Sequence, residues 1–466
     1  MSPERQWRLL TSVRRAIRTD PSKVALTEMH PVVGETVVVK ILDLALRIGE
    51  SMFAVGASAH DVTFAITRVA RVYGLTGVHV EVTFNAINVS YHRGEEDWPT
   101  TLMRVVRAAS PDHAKLQRLQ ALVVDITEGL DLDAARMAFR IIRRTPFLYR
   151  PLVVIIARAL LTVGVAILLA ASPIIILLTF IAALCAAFTQ AGLARLQVPS
   201  FFSQIAGAFV ITVIATATSA LGAAGIAPFD QVQPSIIVAS GIVLMLSGLT
   251  VVGAAQDAID GFALTAGGRI LDLTMQTVGV VLGILIGLEL ARLVGFSMAL
   301  PDDILPFGSL AHQIAGSMII AIAVALFNGA GALIILVSAG LSVIAIVGYN
   351  LAILLDIHEA AASGVGALMA SFIGILIARN FHVPSVAVTT AAIVPLVPGS
   401  AVFRGLLGMV DSNGTAEGML VSISPLVLAG SIGIGLAAGA SLGLYLGTPL
   451  RETLASVAKS RARVRR

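Results

Sequence analysis

From about Pro151 to Leu446 the chain is a succession of long apolar runs separated by short polar joints. Nothing else in it restricts the fold as strongly. A bilayer core of about 30 Å is crossed by roughly 20 apolar residues rising 1.5 Å each. Inside lipid the backbone has no water to bond, so such runs must be helices whose N–H and C=O groups pair internally. The runs read as ten spans: 152–170, 173–191, 201–222, 235–255, 273–296, 313–327, 331–350, 363–379, 385–410 and 421–447. The expected fold is an α-helical polytopic membrane protein. Its composition, 57% hydrophobic and 13% charged, agrees, since soluble proteins carry roughly 25% charged residues.

Charge then orients the spans. Arg136, Arg140, Arg143, Arg144 and Arg150 precede the first span, and no acid occurs between Asp133 and Asp230. Arg451, Lys459, Arg461, Arg463, Arg465 and Arg466 follow the last. Basic flanks stay in the cytosol, so both termini are expected inside and the number of crossings is even. The joints then fall into two groups. Those inside carry Arg195, Arg269 and Arg379, and those outside carry Asp230, Asp302, Asp303, Asp356, Glu359 and Glu417. This arrangement accounts for the net charge of +4 without a nucleic-acid partner. Cys185 is the only cysteine, which excludes an intramolecular disulfide and a CxxC metal site; in its apolar run it reads as a small buried hydrophobe.

The segments outside the spans divide simply. Residues 1–30 are a basic arm without the apolar core of a signal peptide. Residues 31–148 have the pattern of a small α+β domain on the cytoplasmic side. Helical spacing covers Val37–Phe53 and Val62–Val72, with Ser58 or Asp61 placed to cap the second helix. Val78, Val80, Val82 and Phe84 alternate with polar residues, as do Ile87, Val89 and Tyr91, which predicts two strands. Helices from Pro111-Asp112 to about Ile126 and from Leu132 to Ile142 complete it. His60, Asp61, His79, Glu81, His92 and His113 are the groups that would serve catalysis. No HExxH, GxSxG, Walker A or GxGxxG motif accompanies them, so the domain is read as gating or supporting the membrane part. Neither an enzyme nor a cofactor or metal is expected.

The membrane part is expected to be two five-helix repeats, 149–300 and 301–448, ahead of a basic tail at 449–466. Pro234-Ser235-Ile236-Ile237-Val238 at the start of span four matches Pro384-Ser385-Val386-Ala387-Val388 at the start of span nine, and Ser247-Gly248 corresponds to Pro398-Gly399. An offset of five spans inverts the second unit, as in secondary transporters whose substrate lies between two such units.

Two places carry the polar chemistry. Pro395 and Pro398-Gly399 interrupt span nine; the helix end exposed there offers N–H groups to an anion, with Arg404 nearby. Pro398, Gly399, Arg404 and Asn350 are therefore the candidate substrate-binding residues. Asp257 and Asp260, three apart, share a helix face and raise each other's proton affinity, which makes them the candidates for proton coupling. Arg269, Asn328 and Asp356 are further candidates, although Asn328-Gly329 also reads as the turn between spans six and seven. Gly435, Gly439 and Gly443 lie four apart and suit close helix packing.

The arrangement resembles the threonine/serine exporter family over nearly the whole chain after about residue 35. The resemblance rests on Gly56-Ala57-Ser58-Ala59-His60-Asp61-Val62, Tyr73-Gly74-Leu75 and Val82-Thr83-Phe84-Asn85. In the membrane part it rests on Asp257-Ala258-Ile259-Asp260-Gly261 with Arg269, and on Pro395-Leu396-Val397-Pro398-Gly399. It implies a multi-pass protein of the cytoplasmic membrane that exports threonine and serine, driven by the proton motive force. Its expected partners are the lipid bilayer, the amino acid and protons, with homo-oligomerisation left open. The family pattern has a Pro-Gly in the first half, where this chain has Ser247-Gly248. Two alternatives stand beside this reading: a dicarboxylate exporter of the same superfamily, and a membrane-anchored enzyme with its chemistry in the N-terminal domain.

Overall fold

The computed structural model describes residues 34–464 apart from 94–97, 107–109, 228, 230–231, 246–247, 296–306, 382, 400, 403, 406–407 and 409–415. The basic arm, Asp230, Asp302, Asp303, Ser247, the 300/301 boundary and Arg465–Arg466 lie outside the described residues. Contacts gather the described residues from Ile41 onward into one compact unit.

The N-terminal α+β segment comprises helices α1 (Glu35–Ala54) and α2 (Ala59–Val72), strands β1 (Val78–Thr83), β2 (Ala86–Tyr91) and β3 (Thr100–Val105), and helices α3 (His113–Thr127) and α4 (Leu132–Arg144). The sheet is antiparallel in the order β1-β2-β3, with Val82 opposite Ile87 and Val89 opposite Leu102. Helix starts are set by side-chain caps: Ser58 Oγ accepts the Asp61 amide at 3.1 Å, and Asp112 Oδ1 accepts that of Lys115 at 2.9 Å. Leu42, Ile48, Ile66, Val69, Ile87, Leu116, Leu119 and Ile126 are fully buried and form the core. Strand β3 carries no apolar alternation. On it Arg104 pairs with Asp43 at 3.1 Å and Glu50 at 3.0 Å, so an ion pair holds a position where a hydrophobe would have advertised the strand.

The apolar part contains α5 (Pro151–Leu168), α6 (Pro173–Arg195), α7 (Ser200–Ala223), α8 (Pro234–Met245), α9 (Gly248–Ile259), α10 (Ala263–Leu293), α11 (Leu310–Phe327), α12 (Ala332–Leu354), α13 (Glu359–Phe381), α14 (Ser385–Ile393) and α15 (Ala416–Val464). Among the described residues eight helices are long and apolar enough to cross a membrane; Pro234–Met245 and Ala387–Leu396 are shorter apolar helices. Each start at Pro151 and Pro173 has proline in the first turn, where its missing N–H costs nothing.

Lipid offers no hydrophobic drive for helices to associate, so small residues that admit close backbone contact decide the packing. Helix α15 packs on α13 through Gly435, Gly439 and Gly443, where a Cβ would strike the carbonyl oxygens of Ala360, Gly364 and Leu368. Helix α10 packs on α7 in the same way. A Cβ at Gly279 would lie 2.8 Å from the Phe201 carbonyl oxygen, and one at Gly283 would strike that of Ile205. Helices α5 and α11 cross at Gly164 and Gly316, each glycine leaving room for the other's carbonyl oxygen. Helix α6 contacts α7 and α8, and α5 contacts α8; likewise α12 contacts α13 and α14, and α11 contacts α14.

One expectation fails. Cys185 is exposed, because the helical period sets it between Ile181 and Phe188 on the outward face of α6. Its apolar neighbours signalled lipid rather than a protein interior.

Candidate functional site

Helix α14 ends at Ile393, and Val394–Leu396 continue as a single tight turn. Pro395 and Pro398 supply no N–H here, so the helical ladder cannot run through. The Gly399 amide instead donates to the Val397 carbonyl at 2.8 Å, and helical bonding resumes when the Val402 amide donates to the Pro398 carbonyl at 3.1 Å. Gly399 is buried, and a Cβ there would collide with the Val243 side chain near the end of α8. The interruption of span nine therefore rests against the end of α8, and only glycine permits the approach. Arg404 is half-buried in helical backbone five residues further on.

Asn350 makes its hydrogen bonds to α11 and to its own helix rather than to this turn. Its Nδ2 donates to Gln313 Oε1 at 2.7 Å and to the Ile346 carbonyl at 2.8 Å, tying α12 to α11, while Gln313 Nε2 donates to the Gly308 carbonyl at 2.9 Å. Asp356 is exposed, with φ +57°, in the turn between α12 and α13. Asn328 caps α11 and is buried with its Nδ2 unbonded. Its carbonyl accepts the His113 amide at 2.8 Å, and that of Gly329 accepts the Ala114 amide at 3.3 Å. The turn expected at Asn328-Gly329 is thus present, with φ +72° at Gly329, and it receives the N-terminus of α3.

The second cluster forms where the N-terminal segment meets the joint between α9 and α10. Asp257 is fully buried, with Oδ1 3.4 Å from the amide nitrogen of Ala59 at the start of α2 and Oδ2 3.0 Å from Arg269 Nη1. The Arg269 guanidinium also stacks over the Phe53 ring, 5.7 Å from its centroid. Thr265 Oγ1 donates to the Val82 carbonyl at 3.1 Å, and Gly268 makes room for the Phe84 ring. Asp61 and Asp260 lie within electrostatic reach of Asp257, with His60 beside them. Burial pushes the carboxyls of Asp61 and Asp260 above the usual range, His60 opposes this in both, and Asp260 adds to it at Asp61. Asp257 and Asp260 do not share an environment: the first is sealed, whereas the second, just past the end of α9, keeps much of its side chain in solvent with its carboxyl only partly desolvated.

Asp61 was legible in the sequence as a capping residue and as one of the polar groups of the N-terminal domain, but not as a neighbour of Asp260, and Thr265 not at all. Both lie about 200 residues from their partners in the other part of the chain. The joint occurrence of the Gly56–Val62 and Asp257–Gly261 motifs was the available signal. Among the described residues no group of three histidine, cysteine, aspartate or glutamate side chains has metal-binding geometry.

The ThrE family model, for threonine/serine exporters, matches residues 43–291, more than half of the chain. The chain belongs to the threonine/serine exporter family. A second model, "Threonine/Serine exporter, ThrE", matches residues 313–442. This exporter-family chain is 30% identical over 431 residues to a "Probable threonine/serine exporter" of Mycobacterium tuberculosis, covering 88% of the chain and 77% of that protein. It is 28% identical over 419 residues to the "Threonine/serine exporter" of Corynebacterium glutamicum, covering 88% of the chain and 83% of the relative. No solved structure matches.

Proposed function

We propose that the chain exports threonine and serine across the cytoplasmic membrane as a proton-coupled secondary transporter. The observation that carries this reading is the identity of 30% and 28%, over 88% of the chain, to relatives bearing that name. The architecture we infer is ten crossings in two inverted five-helix halves, with a cytoplasmic N-terminal domain. The parallel packing supports it: α10 meets α7 through a glycine ladder, as α15 meets α13. The even crossing count is supported by contacts of the N-terminal segment with the joint after α9 and with the turn after α11. Arg269 places the first of these in the cytosol by charge, and alternation of the crossings places the second on the same side.

In this reading the interruption at Pro398-Gly399, resting on Val243, is the midplane substrate site, and the two halves rock about it. A free amino acid carries both charges, so it needs a cationic partner for its carboxylate; Arg404 and the helix restarting after Gly399 supply that character. Asn350, whose two Nδ2 protons go to Gln313 and Ile346, contributes its Oδ1 as a neutral acceptor on the α11–α12 side. Protons act through Asp257 and Asp260: protonation of Asp257 would release Arg269 and the start of α2 together, and so couple the joint to the N-terminal segment.

The test is transport in vesicles containing the purified full chain. Labelled threonine should accumulate against its gradient when a pH gradient is imposed and merely equilibrate without one. Failure to move threonine or serine in either condition would remove the reading, and accumulation independent of pH would remove its proton coupling.

A further inference from the structure

Three helices converge at Gly207 in the same manner as three others converge at Gly366. Gly207 is the eighth residue of α7 and Gly366 the eighth of α13. A Cβ on Gly207 would lie 2.7 Å from Met245 Cε and 2.8 Å from Gln190 Nε2. One on Gly366 would lie 2.9 Å from Leu396 Cδ1 and 3.3 Å from the Tyr349 backbone nitrogen. Gln190 and Tyr349 are each the eighteenth residue of their helix, α6 and α12. The two places are filled differently. At the second, the Tyr349 ring packs edge-on against Phe307, with centroids 6.0 Å apart. At the first, Gln190 Nε2 donates to Gln204 Oε1 at 3.0 Å, and Gln204 Nε2 makes a long bond, 3.4 Å, to the Met245 carbonyl.

Amides in membrane helices bond across helices, as Asn350 does to Gln313. Gln190 and Gln204 do so among α6, α7 and the end of α8, and both are half-buried rather than sealed. Their chain ends two residues beyond Val243, the side chain on which Gly399 rests. The amides thus stand at the end of α8, and the helix position that Gln190 fills is filled in α12 by Tyr349.

We propose that Gln190 and Gln204 are specificity-determining residues that recognise the side-chain hydroxyl of the transported amino acid; this rests on the threonine/serine export reading above. A hydroxyl both donates and accepts. Inserted between Gln190 Nε2 and Gln204 Oε1, it accepts from the first and donates to the second, so both amide groups stay satisfied. A methyl group in the same place separates the amides and strands a donor and an acceptor, and that penalty exceeds the value of the bond itself. Sites built around a substrate hydroxyl reject the analogue lacking it far more strongly than apolar pockets reject an extra methylene. Valine has the shape of threonine without the hydroxyl, so it is the informative competitor.

The experiment compares labelled threonine and valine transport in vesicles holding the full chain or its Gln190→Met and Gln204→Met variants, which keep side-chain length and lose the amide. The wild type should favour threonine, and each variant should lose about tenfold of that preference, the scale of one net hydrogen bond, through slower threonine transport. A variant that moves threonine with its preference intact overturns the proposal. Should the methionine variants fail to fold, Gln190→Cys in a Cys185→Ser background gives a second readout. Threonine should slow maleimide labelling at position 190 and valine should not; equal rates overturn the proposal. If the wild type moves neither threonine nor serine, the export reading falls and this inference with it. If the wild type does move them, an unchanged preference in the variants removes this inference alone.

Discussion

Asp257 lies 198 residues from Ala59 in sequence, yet its Oδ1 accepts that residue's amide proton at 3.4 Å while its Oδ2 faces Arg269 at 3.0 Å. One carboxylate thus sits on the positive end of α2 and on a guanidinium of α10, both of which favour its charged form. It joins the N-terminal segment to the membrane joint by electrostatics as well as by packing.

Replacing Asp257 should therefore uncouple two functions. Asp257→Ala leaves Arg269, which is 22% exposed, without its partner; breaking a buried pair costs about 3–5 kcal/mol, with the lower end expected here. The joint should become protease-sensitive and uphill threonine export should cease. Asp257→Asn keeps an acceptor for the Ala59 amide and should retain more of the thermal stability than alanine while still losing coupled export. Proteolysis time courses and export from loaded cells measure the two effects separately, and coupled export by the asparagine variant would remove Asp257 from proton coupling.

Asp61 and Asp260 titrate in the opposite sense to ordinary surface acids. Their carboxyls are held above the usual range, chiefly by burial. A raised folded-state value means that the folded chain takes up protons more readily than the unfolded chain. The stabilisation is full below the ordinary carboxylate range and is lost as pH rises through the raised values. Asp61→Asn should raise the thermal midpoint near neutrality and reduce the part of the pH dependence that comes from this joint. Melting curves between about pH 3 and about pH 7.5, a window that begins below the ordinary carboxylate range, would show it, and a lower midpoint at neutral pH would contradict it.

His113 works against that trend. It is buried, and desolvation pushes its imidazole down from 6.5 to about 4. A depressed histidine is neutral when folded, so its contribution is complete above pH 6.5 and is lost as pH falls toward 4. At 1.36 kcal/mol per unit this amounts to about 3 kcal/mol. His113→Gln should flatten the acid limb of the melting profile. An unchanged acid limb would show that His113 charges freely in the folded chain.

The glycine ladders should tolerate no side chain. Gly439→Val drives a branched group into the Gly364 carbonyl, and Gly283→Val does the same at Ile205; overpacking of this kind costs about 1–3 kcal/mol. Gly430→Ala on α15 is the control, since no heavy atom lies within 4 Å of its added Cβ. The yield of monodisperse protein after detergent extraction should fall for the valines and hold for the alanine.

The sequence alone determined what each stretch could become. Apolar length made the spans, Ser58 and Asp112 began their helices, and Pro395 with Pro398 stopped one, because these are effects within a few residues of backbone. It also marked Asp257, Asp260 and Gly399 as chemically unusual. It could not say that Asp257 would meet Ala59 and Arg269, that Gly399 would rest on Val243, or that Gln190 and Gln204 would bond each other. Nor did it distinguish Cys185 facing outward from a buried cysteine, since lipid and protein interior select the same apolar neighbours. Those outcomes were decided by tertiary packing: in lipid, helices associate by shape, and the closest fits depend on which glycines come opposite which carbonyls once the whole chain is folded.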